Sequence, residues 1–166
     1  MPEIDELEAR LLLASQYCQL AEERNDELFN APLYFDAFKQ LEYVAKVDSR
    51  RGLGLFHDPF RRAKLRNYDI GYTIVVDIIR ETDGVESAID YLEKKMSIFA
   101  HVPGEPMISI LNQLGSLYFN ELQDKRKARR CFQKVLESEP TPIPEYEEYY
   151  QSAQLMARKN LAIVDR

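Results

Sequence analysis

Apolar residues recur along most of this chain at alternating spacings of three and four, the period of a single buried stripe on a helix. Ile4, Leu7, Leu11, Ala14, Tyr17, Cys18 and Ala21 mark the first run, predicted to end near Asn25. Tyr34, Ala37, Phe38, Leu41, Val44 and Ala45 mark a second, to about Val47, with Pro32 expected in its first turn, where a missing N–H costs nothing. These two helices should form a hairpin. From Asp48 to His57 the period lapses, and Gly52 and Gly54 leave a connector. Asp58 before Pro59 is a good helix start, and Ile70, Ile74, Val75, Ile78 and Ile79 carry a helix to about Thr82. The β-branched run also suits a strand. No second strand-like run exists to pair with it, however, and a lone strand leaves its backbone groups unsatisfied.

Asp83-Gly84 reads as a tight turn, after which Val85, Ala88, Ile89, Leu92, Met96 and Phe99 mark the partner helix of a second pair over residues 70–99. Pro103, Gly104 and Pro106 then break the chain. The clearest pair follows. Its first helix carries Leu111, Leu114, Gly115 and Tyr118, and its second carries Ala128, Phe132 and Val135, with Pro140 closing the unit. Two helices approach closely only where side chains are small, so Gly115 and Ala128 belong at the crossing, with Tyr118 and Phe132 filling the space around it. A helix-interior glycine costs about 1 kcal/mol relative to alanine, which packing must offset. A last helix carries Tyr146, Tyr149, Tyr150, Ala153, Met156, Ala157 and Leu161, and its acidic start and basic end suit the helix dipole.

The residues of the 108–140 pair resemble one tetratricopeptide repeat, with an extra residue in the turn around Gln123 and Asp124. Ala88 and Leu92 match Ala128 and Phe132 at an offset of 40 residues, longer than the family's repeat of about 34. Pattern and resemblance together imply an all-α fold, a right-handed α-α superhelix of about three helix hairpins plus a C-terminal capping helix, with residues 1–166 as a single domain. The resemblance also implies a ligand on the concave face, lined by the first helix of each pair. Those positions are Thr73, Asp77, Arg80 and Glu81, then Asn112, Gln113, Ser116, Phe119 and Asn120. A clamp for the C-terminal carboxylate of chaperones needs lysines there, and none stands at these positions. Acidic three-repeat secretion chaperones are compatible in length and charge.

Composition narrows the picture further. A chain of 166 residues buries roughly 70% of its unfolded surface, and 45% hydrophobic content is far from the signature of disorder. Cys18 and Cys131 sit inside apolar helical patterns and read as small buried hydrophobes. No segment approaches a membrane span, and the acidic N-terminus is unlike a secretory signal, so a soluble cytoplasmic protein is expected. A net charge of −6 argues against a generic binder of nucleic acid or anionic membrane.

The charge is unevenly spread. Residues 1–28 hold eight acids and two bases, whereas Lys125, Arg126, Lys127, Arg129, Arg130 and Lys134 form a basic run that reads as half-exposed helix surface. A second basic segment, Arg50, Arg51, Arg61, Arg62, Lys64 and Arg66, is interleaved with Phe56 and Phe60. His57 and His101 are too few and too separated for a metal site, and Gly52-Leu53-Gly54 lacks the third glycine of a dinucleotide loop. No catalytic residue, cofactor site or metal site is therefore expected. The expected function is non-catalytic binding of a protein or peptide by an adaptor or scaffold. Alternatives are a nucleic-acid-associated regulatory module using residues 50–66, a secretion-chaperone-like protein, or a homodimer formed through the tyrosine-rich terminal helix.

Overall fold

Seven helices account for almost all of the described chain, and no strand occurs among the described residues. The structure is a computed structural model that describes residues 5–24, 27–47, 68–100, 107–138 and 144–166. The helices are α1 (Glu6–Glu23), α2 (Glu27–Val47), α3 (Tyr68–Asp83), α4 (Val85–Ile98), α5 (Met107–Asn120), α6 (Lys125–Glu137) and α7 (Pro144–Val164). The β-branched run at 74–79 is thus helical, as the want of a pairing strand implied. The Asp58-Pro59 start, the connector glycines, both histidines and the basic segment 50–66 lie outside the described residues.

The chain divides into two compact units, Met1–Ile78 and Ile79–Arg166, and each is described by itself. In the first, α1 packs against α2. Asp5 caps α1 by accepting from the Glu8 amide at 2.9 Å. Leu11, Ala14, Cys18 and Ala21 from α1 and Tyr34, Ala37, Phe38 and Val44 from α2 are buried, matching the expected stripes. The Arg10 guanidinium lies 3.7 Å from the Tyr43 ring centroid and donates to Gln40 at 3.0 Å, bridging the two helices at their surface. Pro32 is placed differently from expectation. It lies inside α2, which already begins at Glu27, so the helix runs through the proline with one backbone hydrogen bond fewer.

In the second unit α5 is the central helix, packed against α4, α6 and α7. Nine of its residues are buried, from Ile108 to Tyr118, so it has almost no free face. Gly115 does lie where α5 meets α6. A Cβ added there would stand 2.6 Å from Cε1 of Phe132, and Phe132 is itself 1% exposed. Ala128, Cys131 and Val135 complete the buried face of α6.

Asp124 caps α6 by accepting from the Lys127 amide at 3.0 Å. In the preceding turn Gln123 adopts a left-handed φ of 53°, and the Asp124 amide reaches back to the Tyr118 carbonyl at 2.8 Å. Helix α7 covers α5 and α6 with Tyr150, Ala153, Ala157 and Val164. It is fastened by the Tyr150 hydroxyl donating to the Ser138 carbonyl and by Arg129 with Asp165 at 2.6 Å. Met156, whose spacing suits either a buried cap or an exposed surface, is exposed beside Leu155. Alanines at 153 and 157 hold the inner face, which leaves the longer side chain outside.

Candidate functional site

A recess in the second unit follows α5 between α4 and α6. It consists of two adjoining depressions of 430 and 310 Å³ that share Met96, Leu111 and Lys134. These volumes fall within the ordinary range of ligand pockets. Each wall comes from a different helix. Helix α5 supplies the floor with Met107, Leu111, Leu114 and Tyr118, side chains on one face at spacings of three and four. Helix α4 contributes Glu93, Met96 and Ser97, with Ala100 just beyond its end. Helix α6 contributes Lys127, Arg130, Cys131 and Lys134, and Glu137 and Ser138 close one end.

The polar contacts in the groove are specific. The Tyr118 hydroxyl donates to the Glu93 carboxylate across the floor, and the Lys127 ammonium lies 5.2 Å from the Tyr118 ring centroid. Burial, then the hydrogen bond and negative charge of Glu93, raise the Tyr118 pKa above the ordinary phenol value. Burial also pushes the Cys131 thiol up to about 11, against the opposing influence of Lys134 and Arg130 and with Glu93 adding to the rise. Both groups stay protonated near neutrality, so neither is an activated nucleophile. Among the described residues no group of His, Cys, Asp and Glu could hold a metal ion, and no helix is long and apolar enough to cross a membrane.

The positions expected on a concave face divide between the two units. Thr73 is exposed and Asp77 half-buried on the part of α3 that belongs to the first unit. In the second unit Arg80 pairs with Glu121 at 3.2 Å, and Glu81 is exposed. Asn112 is 9% exposed, and its Oδ1 accepts no hydrogen bond. Gln113 donates to the Ser109 hydroxyl at 3.3 Å. Three of the expected positions are brought together: Ser116, Phe119 and Asn120 line a depression of 120 Å³ with Phe132, Asn160 and Ile163.

None of the nine expected positions lines the larger groove. Its apolar members were visible in sequence only as core residues, and its cations only as part of a basic run. Lys127, Arg130 and Lys134 do share a helical face by spacing, which is the one signal that singles them out before the structure is known. Set against protein-family models, curated proteins and solved structures, the chain matches none.

Proposed function

We propose that this chain is a non-catalytic, tetratricopeptide-like adaptor that stacks helix hairpins in a right-handed superhelix and holds a protein or peptide partner. The observation that carries this reading is the groove along α5, which joins an apolar floor to polar and charged walls on two flanking helices. The successive packing of α4, α5, α6 and α7, with Gly115 against Phe132, supports the repeat-like reading.

Photo-crosslinking from within the full chain tests the proposal. A benzophenone amino acid is placed at Ser97 on the groove wall, at Asn120 in the smaller depression, or at the exposed Gln16 on α1. A defined protein adduct at Ser97 that is absent at Gln16 and lost in Met96→Asp is the expected result. Adducts at Asn120 alone move the binding face to the α5–α7 side. Identical adducts at all three positions, or none anywhere, overturn the adaptor reading.

A further inference from the structure

We infer that the occupant of the α4–α6 groove is an acidic, amphipathic peptide segment whose apolar side chains seat on Met96 and Met107 and whose carboxylates meet Lys127, Arg130 and Lys134. This deepens the adaptor reading above and rests on it. The charge pattern carries the assignment. The chain is acidic overall at −6, yet one wall of this groove presents three cations at spacings of three and four residues. Along a helix those intervals correspond to about 4.5 and 6 Å of rise, so the three charges form a row about 10 Å long beside the apolar floor.

Among the described residues no carboxylate pairs with Lys127, Arg130 or Lys134, nor with Lys125 or Arg126 outside the groove, whereas Arg80 pairs with Glu121, Lys94 with Asp90, and Arg129 with Asp165. Two carboxylates do border the groove. Glu93 is held by the Tyr118 hydroxyl, and Glu137 stands at the end near Lys134, so the α6 wall keeps a surplus of positive charge. Met96 and Met107, both half-buried, give the groove a flexible apolar surface above the buried Leu111, since methionine side chains adapt to varied shapes. A segment with apolar residues on one face and Asp or Glu beside them satisfies both halves of the groove. A basic or uniformly polar segment satisfies neither, because it meets like charge on the wall or leaves the floor uncovered.

The test is selection of phage-displayed random dodecapeptides on the full-length chain, followed by affinity measurement with synthetic versions of the recovered sequences. Two charge-matched variants are compared: Arg130→Glu/Lys134→Glu in the groove, and Lys125→Glu/Arg126→Glu on the exposed part of α6 outside it. Thermal melts followed by circular dichroism establish that both fold. Recovered peptides should combine Asp or Glu with apolar residues, and should bind the groove variant about tenfold or more weakly while binding the control variant like wild type. Neutral or basic peptides that are lost on Met96→Asp would sink this inference and leave the adaptor reading standing. Peptides indifferent to all three changes would remove the groove from both. Binding of a fluorescein-labelled oligothymidylate in place of any acidic peptide overturns the assignment. So does self-association by sedimentation velocity that only the groove variant abolishes.

Discussion

A single methyl group added at position 115 has nowhere to go. It would meet the Phe132 ring at 2.6 and 2.7 Å, and that ring is buried between helices. Alanine improves helix propensity by about 1 kcal/mol, but overpacking of a filled core costs about 1–3 kcal/mol. Gly115→Ala should therefore destabilise by about 1 kcal/mol net, measured as a lower urea midpoint. Gly115→Ala/Phe132→Leu should recover part of the loss, and a more stable single variant would contradict the crossing geometry. Cys131 supplies the pH test. Its thiol rises from an ordinary 9.0 to about 11 on folding, so the unfolded chain releases this proton first as pH climbs. The associated stability is fully present below pH 9.0 and is lost as pH rises through about 11. Tyr118, shifted in the same direction, adds to the decline once pH passes its ordinary value of 10.0. Urea midpoints taken across this range should fall less steeply for Cys131→Ala than for wild type.

At the scale of helices, the turn between α5 and α6 shows what pattern could and could not reveal. Polar residues at 123 and 124 point to a break, but not to the left-handed backbone of Gln123. That conformation is costly for a residue with a Cβ and natural for glycine. Gln123→Gly should thus stabilise the chain by about 0.5–1 kcal/mol, seen as a higher thermal midpoint, with no change in helical content. The apolar stripes of α1, α4, α5 and α6 were legible because each helix buries one face or more of side chains at fixed spacing. Pro32 was misplaced because its fixed φ is helical anyway, and a helix with enough packed surface absorbs one missing hydrogen bond. Spacing leaves Met156 open between an inner and an outer face. Positions 153, 156 and 157 lie close together on the helix circumference, and only packing against α6 decides that the alanines turn inward.

For the molecule as a whole, helical content followed from sequence far more readily than the place where a partner would sit. A groove wall made by Lys127, Arg130 and Lys134 exists only once Met96 on α4 lies opposite, and that distance between segments leaves no trace in local periodicity. The central position of α5 is likewise a tertiary fact. It predicts that the slowest-exchanging amides of residues 79–166 belong to the middle of α5 rather than to α7, whose Leu155, Met156 and Ile163 face solvent. Native-state hydrogen exchange with slower protection in α7 would refute that order. One residue also decides how many rods the chain contains. Gly84 has φ of 95° and ψ of 171°, and its nearest potential Cβ neighbour is 3.9 Å away, so conformation rather than crowding reserves the position for glycine. An ordinary L-residue there would strain the backbone, so the break between α3 at Asp83 and α4 at Val85 rests on glycine. The absence of one side chain therefore keeps this polypeptide jointed.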